Sequence, residues 1–347
     1  TRWISALSVQ TENTAPLLHV KDLVTAFDTE GGQIRAVDGV SFSLQSGRTL
    51  GIVGESGCGK TVTALSIINL LPKPAADILQ GQIWFEGEDL ASAPIERLHD
   101  IRGERIGMIF QEPMTALNPV HRVGRQIMET LKLHRDISDA DALKATISML
   151  EKVGIPSPEV RVSEYPHQLS GGMRQRVMIA MALICDPSLV IADEPTTALD
   201  VTIQAQILEL LQEMQNTLNT SVIMITHDLG VIAETCDDVL VMYAGRVAEQ
   251  GSVEDVFNHP RHPYTQGLLS SIPRLNTPRK TKLPTIEGMV PSLTDMPAGC
   301  RFNNRCPYAD EVCEASYPSM DEQEGARKVA CHHWQKIDAE HISETRT

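Results

Sequence analysis

The sequence predicts an α/β fold with a mostly parallel sheet that helices cover on both faces. Three short apolar runs, each followed at once by polar or glycine residues, predict buried strands at residues 48–53, 189–192 and 221–226. Helical stretches separate these runs, and strands that alternate with helices favour parallel pairing. Ligands of such sheets bind beyond the carboxyl ends of the strands, so the residues that follow each run are candidates for a functional site.

The chain is long enough for one large domain and a smaller one. Its 347 residues exceed the length at which a single hydrophobic core usually stops growing. We predict a helical insertion at about residues 115–185, which includes a helix over residues 139–154 with Asp139 as its N-cap. Seven prolines between residues 260 and 297, with little periodicity, predict a separate, irregular C-terminal module over residues 256–347.

Composition and charge argue against some classes of protein. A net charge of −15 makes nucleic acid a poor principal partner, because a polyanion requires a basic surface. The longest apolar run, residues 177–185, is far shorter than the roughly 20 residues that span a bilayer. The first residues do not resemble a secretory signal, so we expect a cytosolic chain that reaches a membrane only through a partner.

A glycine-rich turn lies between the first predicted strand and a predicted helix. Its sequence, GESGCGKT at residues 54–61, fits the phosphate-loop pattern, and the flanking strand and helix argue against a chance match. Backbone N–H groups of such a turn surround phosphate oxygens, Lys60 would reach the β- and γ-phosphates, and Thr61 would bind Mg²⁺. The predicted ATP-binding residues here are Gly54, Glu55, Ser56, Gly57, Cys58, Gly59, Lys60, Thr61 and Val62.

Polar residues after three further apolar runs are candidates for Mg²⁺ binding and hydrolysis. Asp193 could bind Mg²⁺, and Glu194 could polarise the attacking water, with a solvated acidic turn as the alternative. Gln111 could bridge Mg²⁺ and the water, although a surface glutamine is a common alternative. His227 could contact the γ-phosphate and align the water, or it could be structural.

A second glycine-rich helix start occurs at residues 169–173, LSGGM. Ser170, Gly171 and Gly172 precede a long predicted helix and could bind an anion. One nucleotide does not need two such cradles. This segment is therefore either an ordinary helix cap or a contact for a nucleotide that another subunit mainly holds.

The order of these motifs resembles the ABC ATPase cassette, which has a P-loop NTPase fold with a helical subdomain. The resemblance covers residues 17–255 and rests on GESGCGKT, Gln111, LSGGM, residues 189–194 (LVIADE), residues 198–200 and His227. It implies that two cassettes pack head to tail.

The resemblance also implies roles for residues that the motifs alone leave open. In a head-to-tail dimer Ser170, Gly171, Gly172 and Asp200 would contact the ATP of the partner subunit. Phe27 would lie against adenine, with a packing role as the alternative. Residues 112–119, EPMTALNP, would face a transmembrane partner.

The C-terminal region is similar to that of dipeptide and oligopeptide permease ATPases, through residues 262–265 (HPYT) and the apolar positions up to 273. This similarity implies a bacterial importer ATPase, peripheral at the cytoplasmic face of the inner membrane, that couples ATP hydrolysis to peptide uptake. The implied partners are a second ATPase subunit, which favours a heterodimer, two transmembrane permease subunits and, indirectly, a periplasmic or extracellular binding protein. Glutathione or a nickel chelate stays open as cargo.

Four cysteines of the C-terminal module form a candidate metal site: Cys300, Cys306, Cys313 and Cys331. Four thiolates suffice for a [4Fe–4S] cluster or for tetrahedral zinc, and unligated thiols are a third alternative. The spacing lacks a CxxC pair, which is untypical of zinc fingers, and the family resemblance implies the iron–sulfur cluster. His332 or His333 could replace a thiolate. We expect Cys58, Cys185 and Cys236 to be small packing residues.

Two other classes of function compete with the importer. A soluble ABC ATPase that acts on DNA would carry long coiled coils between the two glycine-rich motifs, but Lys60 and Ser170 are only 110 positions apart. A translation ATPase usually carries two cassettes, and this chain has one. A redox- or iron-sensing ATPase would use the same four thiols that a purely structural cluster needs.

Overall fold

Twelve strands form two sheets of unequal size in the described part of the chain. The computed structural model describes residues 15–197, 199–272, 285–322 and 327–337. In chain order the strands are β1 (Leu18–Thr29), β2 (Gly32–Leu44), β3 (Thr49–Val53), β4 (Ala76–Phe85), β5 (Glu88–Asp89), β6 (Ile106–Ile109), β7 (Leu189–Asp193), β8 (Ser221–Ile225), β9 (Asp238–Tyr243), β10 (Arg246–Ser252), β11 (Asp321–Glu322) and β12 (Lys328–Val329). The mixed α/β class predicted from the sequence is confirmed.

The larger sheet contains the three apolar runs that were predicted as strands. Its order is β11-β12-β10-β9-β3-β8-β7-β6, and β9 to β6 run parallel to one another. Every residue of β3, β7 and β8 is buried, as expected for strands with both faces covered. The carboxyl ends of these strands therefore meet at one edge, where the glycine-rich turn and the acidic residues follow them.

The smaller sheet is antiparallel, with the order β2-β1-β4-β5, and was not predicted. Register shifts interrupt the pairing of β1 with β2 between Val20 and Leu23 and again between Thr25 and Ala26. Such bulges add unpaired residues, so the buried and exposed positions of β1 do not alternate strictly. The period-2 signal by which a half-buried strand is recognised in a sequence is consequently weak here.

Helices cover the larger sheet and fill the segment between β6 and β7. In chain order they are α1 (Lys60–Ile67), α2 (Ile95–Ile101), α3 (Pro113–Ala116), α4 (Val123–His134), α5 (Asp139–Lys152), α6 (Pro158–Arg161), α7 (Gly171–Leu183), α8 (Val201–Leu218), α9 (Leu229–Thr235), α10 (Val253–Asn258), α11 (Pro263–Ser270) and α12 (Glu311–Ala315). Helices α3 to α7 occupy the range for which the helical insertion was predicted. None of the helices in the described ranges has the length and apolar character needed to cross a bilayer.

The cap of α5 differs from the prediction by one residue. Ser138, not Asp139, is the N-cap, and its hydroxyl accepts a hydrogen bond from the backbone N–H of Asp141 at 3.2 Å. Asp139 is the first helical residue, where a negative charge still interacts favourably with the helix dipole. The prediction of Asp139 as the cap was wrong because both residue types are good caps and stand side by side.

The region after residue 256 packs directly on the rest of the protein. β12 pairs with β10 through Glu249 and Val329, and Tyr264 and Phe302 lie in the same hydrophobic core as the helices α4, α5 and α7. The division at residue 256 stays a prediction; in the structure, residues on both sides of it share one sheet and one core. Pro273, Pro278 and Pro284 lie outside the described residues.

A buried ion pair joins this region to the sheet. The side chains of Glu249 and Arg327 are 0% and 5% exposed, and a carboxylate oxygen lies 2.6 Å from the guanidinium. Glu249 also accepts the backbone N–H groups of Arg261 and His262, each at 3.0 Å. One carboxylate of β10 therefore binds both the segment that leads into α11 and the residue that precedes β12.

Replacing Arg327 with alanine is expected to lower the free energy of unfolding by about 3 kcal/mol, because it leaves the buried carboxylate of Glu249 without its cation. Urea denaturation followed by circular dichroism measures the change. Lys328→Ala is the matched control, since Lys328 pairs with the largely exposed Glu322 and an exposed pair contributes less than about 1 kcal/mol. Equal effects of the two substitutions would contradict this role of Arg327.

Candidate active site

The glycine-rich turn between β3 and α1 requires residues without a side chain. Gly54, Gly57 and Gly59 have φ angles of +152°, +78° and +99°, in the region that favours glycine. A Cβ atom at Gly54 would lie 2.2 Å from the carbonyl oxygen of Met242, and one at Gly59 would lie 2.5 Å from that of Ala36. Backbone from β9 and β2 therefore fixes the path of the turn, which leads into the N-terminus of α1 and forms a cradle for an anion.

Lys60 is buried inside this cradle. Its ammonium group donates hydrogen bonds to the carbonyl oxygens of Gly54 at 2.8 Å and Glu55 at 3.2 Å. The charge is thus held at the centre of the turn, where it can meet phosphate oxygens. Burial raises the pKa of the Cys58 thiol, while the nearby Lys60 lowers it in part, so Cys58 is a packing residue of the turn.

Asp193 ends β7 beside the Thr61 hydroxyl. Burial raises the pKa of Asp193, and a hydrogen bond from Thr61 and the charge of Lys60 oppose that rise. One carboxylate oxygen, Oδ1, is buried and has no hydrogen-bond partner within the described residues. A buried acceptor without a donor, next to a hydroxyl at the phosphate cradle, fits a Mg²⁺ ligand set of hard oxygen atoms.

Glu194 brings the other candidate residues together. Its carboxylate accepts hydrogen bonds from Gln111 Nε2 at 3.0 Å and from Thr197 Oγ1 at 2.8 Å. His227 Nδ1 lies 3.5 Å from the same carboxylate oxygen. The structure therefore places Gln111, Glu194 and His227 in one contact group, although they follow three different strands.

The backbone at Glu194 is strained. Its φ angle is +47°, a left-handed conformation that costs a residue with a side chain of order 1 kcal/mol or more. A hydrogen bond from its backbone N–H to the carbonyl oxygen of Ile225, at 2.9 Å, holds this conformation. Strain of this kind is typical of functional sites, and here it directs a carboxylate toward the cradle.

A cavity of about 480 Å³ lies over the cradle. Its lining includes Phe27, Ile34, Ala36, Ser56, Gly57, Gly59, Lys60, Thr61, Val62, Gln111, Glu194 and Leu293. A larger groove of about 830 Å³ runs along α4 and α5, but its lining includes no part of the glycine-rich turn. The smaller cavity is therefore the one suited to a nucleotide.

Leu293 is a lining residue that the sequence did not reveal. It comes from the proline-rich segment after residue 284. It lines the cavity together with Phe27 and residues of the glycine-rich turn. A single leucine in an irregular segment belongs to no recognisable motif, so its sequence context does not indicate a contact with a nucleotide. Only the folded chain brings it to the cavity.

Ser170 and Asp200 both cap helices and lie away from this cavity. Ser170 caps α7 by accepting the backbone N–H of Met173 at 3.3 Å, and Asp200 caps α8 by accepting those of Thr202 and Ile203 at 3.1 and 3.0 Å. A Cβ at Gly171 would meet nothing within 4 Å, whereas one at Gly172 would lie 3.0 Å from Ile203. Ala198, part of the motif at 198–200, lies outside the described residues.

The four C-terminal cysteines lie close enough to affect one another's ionisation. Burial raises the pKa of Cys331 to about 12, and the proximity of Cys306, Cys300 and Cys313 adds to the rise. Burial likewise raises the pKa of Cys306 to about 11. The backbone N–H of Cys300 donates to the carbonyl oxygen of Cys313 at 2.7 Å.

The described residues contain one tight set of three possible metal ligands. Atoms of Asp310, Cys313 and His333 lie within 4.8 Å of one another. A single zinc ion would bring four thiolates to about 3.8 Å from each other at a Zn–S distance of about 2.3 Å. No three of the four thiols form so compact a set in the described structure.

The remaining cysteines are isolated from this group. Cys185 is buried and Cys236 half-buried, and burial raises the pKa of each to about 12. The charged groups that affect these two thiols are carboxylates and an arginine, and no other cysteine is among them. These two residues are packing residues, as expected from the sequence.

Comparisons with known proteins match both parts of the chain. The model of the ABC transporter family matches residues 37–197, and that of the oligopeptide/dipeptide transporter C-terminal region matches residues 248–313. The dipeptide transport ATP-binding protein DppD of Bacillus subtilis is 52% identical over 91% of this chain and 94% of its own length. The oligopeptide transport ATP-binding protein OppD of Escherichia coli is 52% identical over 91% and 92%, respectively.

Solved structures of similar fold are those of a bacterial ABC transporter cassette, MJ0796. Its dimeric structure aligns with a TM-score of 0.61 and 25% identity, covering 68% of this chain and 98% of that chain. A dimeric post-hydrolysis state bound to ADP and Pi aligns with a TM-score of 0.62 at 24% identity, over the same shares. The predicted cassette fold is confirmed.

Replacing Asp193 with asparagine is expected to reduce the Mg²⁺-dependent gain in nucleotide affinity by roughly tenfold, because a neutral amide replaces an anionic ligand. Titration of the protein with a fluorescent ATP analogue, in Mg²⁺ and in EDTA, measures that gain. Asp186→Asn, an exposed change in the turn before β7, is the control and should leave it unaltered. The same Mg²⁺ dependence in both variants would refute the assignment.

Proposed function

The chain belongs to the oligopeptide/dipeptide branch of the ABC transporter ATP-binding proteins, and we propose that it hydrolyses MgATP in the cavity over residues 54–61 to drive peptide import through separate membrane subunits. The observation that carries this proposal is the position of Glu194. Its strained backbone directs a carboxylate to the phosphate cradle, where Gln111 and His227 contact it. Relatives named as peptide and dipeptide transport proteins support the cargo class.

The residues present fit MgATP. The backbone of residues 54–59 and Lys60 would hold the phosphates, and the apolar side chains of Phe27 and Leu293 suit adenine. Thr61, Asp193 and Gln111 would hold Mg²⁺, and the buried oxygen of Asp193 that lacks a donor supports this set. The ion would neutralise charge on the transferred phosphoryl group.

Hydrolysis needs a group that orients the attacking water and accepts its proton. Glu194 is the proposed general base, because its carboxylate lies at the cradle and a carboxylate can accept a proton. The amide of Gln111 and the imidazole of His227 lie beside that carboxylate and would align the water. Thr197 donates a hydrogen bond to Glu194 and restricts its rotation.

The second glycine-rich helix start suits a partner's nucleotide. Ser170 and Gly171 are exposed at the start of α7 and are absent from the lining of the chain's own cavity. We therefore assign Ser170, Gly171, Gly172 and Asp200 to the ATP of a second cassette packed head to tail. A related but different ATPase subunit, giving a heterodimer, is the proposed partner.

Exposed apolar side chains after Gln111 support docking to a membrane protein. Met114 is 63% exposed and Val120 is 72% exposed, in and next to residues 112–119. Such side chains are the kind that bury in an interface. We propose that this segment contacts one of two permease subunits, so that the chain lies at the cytoplasmic face of the inner membrane and serves a separate binding protein indirectly.

The cysteine group supports a [4Fe–4S] cluster as the proposed resident of the C-terminal region. The thiols of Cys300, Cys306, Cys313 and Cys331 are buried or half-buried and near one another, yet more widely spaced than a single zinc ion requires. A cluster of several metal atoms suits that wider spacing. Zinc held by Cys313, His333 and Asp310 is the second candidate, favoured by their mutual distance.

Replacing Glu194 with glutamine is expected to preserve MgATP binding and to lower the ATPase rate by at least about 10²-fold, because the amide cannot accept the proton. Phosphate release under saturating MgATP gives the rate, and nucleotide titration gives the affinity. Glu209→Gln, on the exposed face of α8, is the control variant. Turnover near that of the unmodified protein would remove Glu194 from the proposed role.

The protein purified without oxygen is expected to contain about four iron atoms and four acid-labile sulfide ions per chain. Cys306→Ser should lower both, whereas Cys236→Ser, which changes an isolated thiol, should lower neither. Metal analysis for iron and zinc, with a sulfide assay, checks the expectation. Stoichiometric zinc without sulfide would favour the second candidate and overturn the cluster.

A further inference from the structure

The residue before Cys306 links the cysteine group to the phosphate cradle. Arg305 has a side chain only 2% exposed, and it extends from the cysteine segment to Glu55, the second residue of the glycine-rich turn. Its Nη1 donates to Glu55 Oε2 at 2.7 Å and its Nη2 donates to Oε1 at 3.1 Å. Two parallel charge-assisted hydrogen bonds of this kind fix both the position and the orientation of the carboxylate.

The rest of the guanidinium is held by other parts of the protein. Arg305 Nε donates to the carbonyl oxygen of Glu287 at 2.9 Å, and Nη2 also donates to that of Ile286 at 3.2 Å. Nη1 lies 3.3 Å from the hydroxyl of Tyr243, to which it donates. These contacts hold the guanidinium of Arg305 in place. The carboxylate of Glu55 therefore cannot move without breaking its two hydrogen bonds to Arg305.

A second C-terminal side chain holds the backbone of the same residue. The fully buried Tyr264, at the start of α11, accepts the backbone N–H of Glu55 through its hydroxyl at 2.8 Å. Its ring packs against those of Tyr243 and Phe302, with centroids 4.6 and 5.5 Å away. Glu55 is therefore restrained at its main chain by Tyr264 and at its side chain by Arg305.

These restraints matter because Glu55 lies in an anion-binding turn. An uncompensated carboxylate there would repel phosphate, and the paired cation of Arg305 offsets its charge. The carbonyl oxygen of Glu55 also accepts a hydrogen bond from Lys60 Nζ. The position of Glu55 consequently influences the cation that meets the phosphates.

We propose that Arg305 and Tyr264 are positioning residues of the nucleotide site, which hold Glu55 so that the C-terminal region sets the affinity for MgATP. This inference rests on the proposed function, since it concerns the same cavity. It assigns to residues 256–337 a part in nucleotide binding in addition to any part in holding a cluster. Arg305 acts through Glu55 and does not itself need to touch the nucleotide.

The test is a double-substitution cycle on the purified protein. Arg305→Gln is expected to weaken binding of MgATP roughly tenfold and to raise KM by a similar factor, with little change in kcat. In a chain that already carries Glu55→Gln, the same substitution should weaken binding less than about threefold, because no carboxylate then needs compensation. A role of Arg305 in folding alone predicts the same loss in both backgrounds and would overturn the proposal, as would an unchanged affinity.

A matched control separates this effect from general loosening of the C-terminal region. Arg301 is also an arginine next to one of the four cysteines, Cys300. Its ion-pair partner is Asp38, which is not part of the glycine-rich turn. Arg301→Gln should leave MgATP affinity within about twofold in the folded protein. Loss of affinity in Arg301→Gln equal to that in Arg305→Gln would refute a specific path through Glu55.

A milder variant keeps the test decisive if Arg305→Gln does not fold. Tyr264→Phe removes only the hydroxyl that accepts the N–H of Glu55, and it should weaken MgATP binding roughly three- to tenfold. Full affinity in Tyr264→Phe would contradict the proposal. Failure of the unmodified protein to bind MgATP would instead refute the proposed function, so the two failures are distinguishable.

Discussion

The close approach of two backbone segments to the turn after β3 is the constraint on which the rest of the structure depends. Carbonyl groups of Met242 and Ala36 stand where Cβ atoms of Gly54 and Gly59 would be. The parallel strands β9 and β3, together with β2 of the smaller sheet, must therefore be in place before the cradle has its form. The position of Lys60, whose ammonium group donates to the carbonyl oxygen of Gly54, follows from this packing.

Local sequence determined those parts of the site that one strand end and its following residues contain. The turn at residues 54–61 and the Asp193–Glu194 pair could be found because a buried apolar run leads into each, and parallel strands bring such ends together. The contact of Gln111 with Glu194 spans 83 positions, yet both could be placed at one sheet edge by the same reasoning. The smaller sheet could not be predicted because bulges in β1 disturb the alternation of buried and exposed residues along that strand.

Other residues could not be found because their role exists only through distant contacts. Leu293 and Arg305 belong to a region with little periodicity, and no motif around them indicates that one lines the cavity and the other contacts Glu55. Tyr264 lies in the HPYT segment, which indicates the family but not the contact with Glu55. Their contacts with the cavity or with Glu55 are known only from tertiary packing. The same holds for the buried pair of Glu249 and Arg327, whose members are 78 positions apart and come together only when β12 pairs with β10.

The contact between Glu55 and Arg305 has a consequence for the order in which the protein matures on the ribosome. The two residues are 250 positions apart. At roughly 5–20 residues per second, about 12–50 s pass between synthesis of the first and the second. A nascent chain that has completed its glycine-rich turn still lacks the arginine that pairs with Glu55, so the turn acquires this partner only after that interval.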